Sequence, residues 1–244
     1  MRVDLNADVG EGGDDQALLP FLTSVNVACG GHAGDERSMA ETVEAALRLG
    51  VSIGAHPSYP DRERFGRGDI HLPARELGRS ICAQVHALER VAERAGTRVA
   101  HVKPHGALYN RAARDRAVAE TVARAVAEVD SGLRLVGLAG SALIDAARAA
   151  GLVAVAEGFA DRRYAADGSL APRSLPGAVI HDAAEAAEQA LDIVGRHEIV
   201  ALGGAKIAVQ VDTLCVHGDT PGAAAIARAV RDRLQQAGIE IARF

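Results

Sequence analysis

Six stretches of this chain end an apolar run with residues able to do chemistry. The first carries Asn6, Asp8 and Glu11, the second Asn26, Cys29, His32 and Asp35 in NVACGGHAGD, and the third His56 in GAHPSYPD. The fourth carries Lys103 and His105 in VKPHGALYN, the fifth Glu157, Asp161 and Arg162 in EGFADRRY, and the last His217 and Asp219 in VHGDTP. Carboxylates and imidazoles so placed can take or give a proton, and an ammonium can stabilise an oxyanion as it forms. Each residue also has a plainer use. Asp8 can bond a turn amide, His56 before Pro57 can be a packed turn residue, and Lys103 at a strand end is ordinarily solvated. Glu157 can pair with Arg162 on a rim, Asn26 can satisfy a strand-end carbonyl, and His217 can cap the last helix. Cys29 and Cys215 read as small apolar fillers, Cys82, His86 and His101 as packing residues, and His71, His181 and His197 as surface. The coincidence favours chemistry, because a bland fold has no use for so many desolvated polar groups in one place.

Metal and nucleotide are both open at this level. Asp8, His32 and His56, with His105, have ligand chemistry that suits a divalent Zn, Mn or Fe, yet no HxH or HxxxH pair marks a site. GEGG and LGGAKI are rich in glycine but match neither GxxxxGK[ST] nor GxGxxG. ATP, if held here, would need another cradle, such as the amides of CGGHAG or Lys103.

The elements that must position these residues alternate. Strands are expected at 3–9, 24–28, 51–55, 98–103, 134–138, 153–157 and 213–216, and helices at 38–49, 73–95, 115–129, 141–149, 182–196 and 221–237. Asp115 and Ser141 stand as caps, and Pro221 after Thr220 as a first helical residue. Gly50, Gly96, Gly151 and Gly238 close helices. Repeated βα units predict a parallel sheet with helices outside, and in a barrel all the strand ends named above share one mouth. Residues 161–177 form an irregular excursion, a lid or a surface insertion; 199–211 read as a hairpin and 239–242 as an eighth strand.

Composition agrees. The 244 residues fit one α/β barrel of about 250 residues, expected as a single domain over 1–244. The aliphatic core must do without Trp, since aromatics are 3% of the chain. A net charge of −5 gives no reason to expect nucleic acid or an anionic membrane as partner. No apolar run reaches the roughly 18 residues of a membrane helix, and MRVDLNADVGEG is too acidic for a signal peptide. Cys29, Cys82 and Cys215 form neither a disulfide framework nor a CxxC pair, which points to a reducing cytoplasm. Oligomeric state is open, a homo-oligomer included.

Together, DLNADVGEG, NVACGGHAGD, GAHPSYPDRERFGR, VKPHGALYN, EGFADRRY and LCVHGDTPGA resemble the LamB/YcsF family, in order from residue 3 to about residue 225. The resemblance implies a TIM-like (β/α)7 barrel related to carbohydrate deacetylases. It also implies the activity of the A-type subunit of an ATP-dependent 5-oxoprolinase, a hydrolase acting on a cyclic amide. There 5-oxo-L-proline, ATP and water give L-glutamate, ADP and phosphate, with 5-oxoprolinase subunits B and C as partners. For that reaction Asp8 is expected as base or as ligand of a hydroxide-supplying metal, Lys103 beside a phosphate or the developing charge, and His105 or His56 as proton donor to nitrogen. Asn26 and the amides of Gly30 and Gly31 would orient the amide, Glu157 would position the substrate amine or a histidine, and Asn6, His32, Tyr109, Asp161 and His217 would complete the substrate side. The alternatives are a stand-alone metal-dependent amidase or deacetylase and a non-catalytic scaffolding subunit. Three departures stand out: a short segment after the first motif, Gly31 where an aromatic commonly precedes the histidine, and Ser58 and Arg64 where the family usually has Gly.

Overall fold

The computed structural model describes residues 1–68, 70–218 and 222–244. Asp69, Asp219, Thr220 and Pro221 lie outside the described residues, and with them the roles expected for Asp219 at a strand end and for Thr220 and Pro221 at a helix start. In chain order the elements are β1 (Arg2–Val9), α1 (Asp15–Leu18), β2 (Ser24–Ala28), α2 (Glu36–Arg48), β3 (Ser52–His56), α3 (Ala74–Arg94), β4 (His101–Val102), α4 (Gly106–Ala112) and α5 (Arg116–Val129). There follow β5 (Arg134–Leu138), α6 (Ala142–Ala149), β6 (Val153–Phe159), α7 (Ala183–Gly195), β7 (Glu198–Val200), β8 (Lys206–Ala208), β9 (Thr213–Cys215), α8 (Ala223–Gln236) and β10 (Glu240–Ile241).

Strands β1 to β6 are neighbours in sequence order, and β9 pairs in parallel with both β6 and β1, which closes a seven-stranded parallel barrel. One edge of β1 takes β2; the other takes β9 along Asp4–Asn6 and β10 along Arg2–Val3. The expected eighth strand thus fills the lower end of the closing seam. Strands β7 and β8 form the expected hairpin, antiparallel and outside the barrel sheet.

On β1, residues Val3, Leu5, Ala7 and Val9 are buried and alternate with Asp4, Asn6 and Asp8, so one face is apolar and the other polar. The apolar face meets helices whose buried stripes recur at helical spacing: Met39, Val43 and Ala46 on α2, Leu77, Ile81, Val85 and Leu88 on α3, and Ile226, Val230 and Leu234 on α8. Each such Leu, Ile or Val stabilises the fold by roughly 1.5–3 kcal/mol on burial.

Boundaries differ from expectation where local bonds decide them. Helix α2 begins at Glu36 rather than 38, because Asp35 caps it through a reciprocal pair with Ser38; Asp35 is thus a cap and not a site residue. Asp115 caps α5 as expected, whereas Ser141 sits at the cap position of α6 without making a cap bond. Only two residues of the expected strand 98–103 are strand, although Ala100 N and Lys103 N still donate to Ile53 O and Ala55 O of β3. His86 is exposed beside Glu89 and is not a packing residue. Below the barrel, the Phe244 ring meets His101 edge to face at 5.2 Å, and the Arg134 guanidinium lies 6.0 Å from the same ring.

Candidate active site

Polar residues fill the barrel interior in layers. At the bottom, Asp4 accepts hydrogen bonds from the hydroxyls of Thr23 (2.6 Å), Ser24 (2.7 Å) and Thr213 (2.6 Å). Above it, Asn6 donates to Glu157 Oε1 (3.0 Å) and Thr213 Oγ1 (2.7 Å) and accepts from Asn26 Nδ2 (2.9 Å). Asn26 Nδ2 also reaches Asp8 Oδ1 (2.9 Å) and the Ala7 carbonyl (3.3 Å), and its Oδ1 faces His101 Nε2 at 2.9 Å. Strand β3 has Gly54 opposite that ring because a Cβ there would lie 2.1 Å from His101 Nε2. Burial, then the nearby Lys103 and Arg134, depress His101 to about 3, so the ring is neutral.

Lys103 crosses the next layer. Its Nζ lies 3.0 Å from Asp8 Oδ1 and 2.8 Å from Glu157 Oε1, and it also reaches Asn6 Oδ1 (3.3 Å) and Cys215 Sγ (3.2 Å). Tyr109 donates its phenolic proton to Glu157 Oε2 at 2.6 Å. The Lys103 side chain is 2% exposed and that of Glu157 0%. Burial would lower Lys103, but Asp8 and Glu157 overcome it and hold the ammonium well above its ordinary value. Burial would likewise raise Asp8; His56 and Lys103 overcome it and keep the carboxyl well below the ordinary range.

Beside this triad the imidazoles converge. His56 Nδ1 lies 2.7 Å from Lys103 O, and His105 Nε2 lies 3.0 Å from Phe65 O. A carbonyl only accepts, so both of these nitrogens carry protons. In neutral rings the other nitrogens, His56 Nε2 and His105 Nδ1, are then lone pairs, and they face each other at 3.0 Å. Glu11 Oε1 lies 2.7 Å from His32 Nε2, 3.2 Å from His105 Nδ1 and 3.7 Å from His56 Nε2, and Asp8 Oδ2 lies 3.2 Å from His56 Nε2. So many acceptors at one point require a positive charge among them. A proton on His56 supplies it: burial opposes the charge, but Asp8 raises the ring above its ordinary value. Burial lowers His105, and lowers His32 to about 4.

A divalent cation would meet the same requirement. Ligand atoms of Glu11, His32, His56 and His105 lie within 4.8 Å of one another. The backbone carbonyls that fix His56 and His105 are the outer partners a metal-binding imidazole needs. The loop in between is shaped for this. Phe65 adopts a left-handed φ of 54°, uncommon for a bulky residue, and turns its carbonyl to His105. Gly66 follows with φ of 63°, and a Cβ on it would lie 2.9 Å from both His105 Cδ2 and His32 Cβ.

These groups floor a cavity of about 650 Å³. Asp8, Glu11, His56, Lys103, His105 and Glu157 reach it, with Tyr109 and His217 on its walls. The excursion is no simple surface insertion: Arg162, Tyr164 and residues 167–173 wall the cavity, and Tyr164 O accepts from Leu202 N of the β7–β8 turn.

Other expected site residues stand behind this wall. Asn6 and Asn26 lie beneath it, as layers of the interior. His32 is stacked on His105 at 3.6 Å, within the cation cluster. The Gly30 amide donates to Ala33 O at 2.8 Å and is not available to a ligand. Gly31 packs on Gln84 and Ser58, where a Cβ would come within 2.3 and 2.4 Å of their oxygens. Asp161 is buried and accepts from both His217 N (2.9 Å) and His217 Nδ1 (2.8 Å), so His217 caps no helix. Glu157 pairs with Lys103 rather than with Arg162, and Cys215 touches the Lys103 ammonium instead of only filling space. Of the residues expected to hold a metal, His32 and His56 lie with Glu11 and His105 in a group whose ligand atoms could hold one, and Asp8 lies alongside. Glu11 is visible in the sequence as a carboxylate after β1, but its role is not; Asp4 gives no signal there except the polar alternation of β1, and Thr213, on β9, gives none.

The chain matches the LamB/YcsF family over residues 3–244. It is 51% identical to the A-type subunit of the 5-oxoprolinase of Chloroflexus aggregans, over 99% of this chain and 98% of that one. Its fold is similar to the crystal structure of a lactam utilization protein from Thermus thermophilus, with TM-score 0.94, 45% identity and full coverage of both chains. It is similar in fold alone to a deacetylase solved with its substrate, with TM-score 0.52 and 17% identity over 99% of this chain and 87% of that one.

Proposed function

This chain belongs to the LamB/YcsF family, and on that premise we propose that it is the hydrolytic, A-type subunit of an ATP-dependent 5-oxoprolinase, opening the lactam of 5-oxo-L-proline to L-glutamate. The reading is carried by one observation: the buried Asp8–Lys103–Glu157 ion triad adjoins the Glu11–His56–His105 cluster on the floor of a single cavity. An amide is a poor electrophile, and an opened ring recloses with a large effective molarity, so hydrolysis needs both activation and a site that handles protons. Water adds to the lactam carbon while Asp8, held ionised by His56 and Lys103, accepts its proton. The C–N bond then breaks with its electron pair on nitrogen, which takes a proton from the His56–His105 pair; with the phosphoryl group on the lactam oxygen this leaves an acyl phosphate, from which a second water releases phosphate to give L-glutamate. Lys103 is a positioning charge, since its ammonium is taken up by Asp8, Glu157 and Asn6. Glu11, His32, His56 and His105 are the residues that would hold a divalent cation, which when bound would polarise the lactam oxygen or a water.

In this reading ATP acts through partner subunits of the B and C type, with hydrolysis here and phosphorylation on the partner side. The free thiols of Cys29, Cys82 and Cys215 accord with a reducing cytoplasm, and among the described residues no helix is long and apolar enough to cross a membrane. The test is glutamate release from 5-oxoproline by the purified chain, with and without the partners and with and without ATP. Release only in the complete mixture supports the coupled reading. Release by the lone chain without ATP, abolished by a chelator, would instead establish a stand-alone metal-dependent amidase, the reading favoured by the His/Glu cluster alone.

A further inference from the structure

Another part of the cavity wall is built differently. Arg162 follows β6 and Ser141 follows β5; these strands are neighbours, and both residues line the cavity. Arg162 is 6% exposed; its Nη2 donates to Ala171 O at 2.6 Å, while its buried Nε has no acceptor among the described residues. Ser141 is 7% exposed and holds the cap position of the eight-residue α6, yet its buried hydroxyl makes no cap bond and has no partner among the described residues. Buried groups left so cost about 1–3 kcal/mol each unless something else satisfies them. Arg173, from the excursion, lines the same cavity. Burial, and then the charge of Arg173, depress the Arg162 guanidinium to about 10. Asp161, next to Arg162 in sequence, is committed to His217, and Lys103 already has its carboxylates, so a further anion finds its cation at Arg162 and not at Lys103.

We propose that Arg162 and Ser141 form an oxyanion subsite that takes the phosphoryl group of a phosphorylated substrate. The shared chemistry with a carboxylate is a planar or tetrahedral oxyanion facing guanidinium and hydroxyl donors. A buried guanidinium with a second arginine on the same wall suits a dianion better than one carboxylate. The cavity of about 650 Å³ is also far larger than a five-membered lactam needs. The proposal deepens the oxoprolinase reading and rests on it for the expectation that the lactam arrives phosphorylated.

The test is calorimetric titration of the full chain with inorganic phosphate and, separately, with acetate, on the native protein, R162Q and S141A. Phosphate should bind at least about tenfold tighter than acetate. Its affinity should fall about tenfold in R162Q and about threefold in S141A, with the thermal melt of S141A unchanged. S141A keeps the question open to decision if R162Q, which also loses its bond to Ala171 O, folds poorly. Acetate binding as tightly as phosphate, with both weakened by the substitutions, would make this a carboxylate subsite and overturn the phosphoryl assignment. Absence of binding, or phosphate affinity equal in all three proteins, would remove the site. The proposed activity fails separately: phosphate can bind as expected in a chain that supports no glutamate release with its partners, and glutamate can be released by a complex in which this chain ignores phosphate.

Discussion

The two sides of the barrel wall follow opposite rules. Outside the strands, Val3, Leu5, Ala7 and Val9 of β1 and the stripes of α2, α3 and α8 make an aliphatic layer with no polar partner to satisfy. Inside, Asp4, Asn6 and Asp8 of the same strand join Ser24, Asn26, His101, Lys103, Glu157 and Thr213 in a file of charges and amides where barrels of this class ordinarily stack branched aliphatics. The outer layer holds the fold by area removed from water and tolerates substitutions of similar volume. The inner file has no such slack, since each group is the partner of another. The fold is thus held from outside, which leaves the inside free to be an electrostatic device.

Lys103→Met should break this contrast most sharply. It strands Asp8 and Glu157, so unfolding in urea should lose about 3–5 kcal/mol, and glutamate release with the partners should fall at least about a hundredfold. Leu88→Ala in the outer layer should cost about 2–5 kcal/mol and leave turnover per folded molecule unchanged. If the two variants cannot be told apart by turnover, the division between layers is wrong. Gly54→Ala comes next: its Cβ would press on the His101 ring, at a cost of about 1–3 kcal/mol visible as a lower thermal midpoint. Pairing it with His101→Ala should restore part of the loss.

A smaller effect sharpens the comparison within the inner file. Glu11→Gln should lower retention of a divalent cation at least about tenfold, read by elemental analysis after dialysis, because the carboxylate facing His32, His56 and His105 loses its charge. The smallest concerns acid. Burial opposes ionisation of Asp161, but His217 holds it below its ordinary value. The folded state therefore binds this proton less readily than the unfolded chain. Its contribution is fully present above the unfolded carboxyl value of about 3.9 and is lost as pH falls through the lower folded value. Asp161→Asn should flatten the acid limb of thermal stability below about pH 4, and an unchanged limb would show that the pair carries no such linkage.

Much of this is legible in the chain. The strand ends carrying Asp8, His56, Lys103, His105 and Glu157 do share one mouth, since parallel strands leave no other place for them. The bounds of β2 and β5 follow from short, mostly apolar runs between helix signals. The rest depends on three-dimensional neighbours. His101 reads as packing because its partner, Asn26, lies on a strand two places away in the barrel. Glu11 stands out only as a carboxylate after the first strand, without a role, because its histidines come from three other segments. Gly31 reads as an amide donor because its neighbours Ser58 and Gln84 are remote in sequence. The period-two pattern of VDLNADV is the subtler signal, for it announces a strand polar on its inner face.

The Phe244 ring beneath His101 makes the barrel a vessel with a stopper. Phe244→Ala would let solvent seep up the amide ladder from below, loosening the floor on which Lys103 stands without touching the mouth. Turnover lost in that variant would then have its origin at the end of the barrel opposite the chemistry.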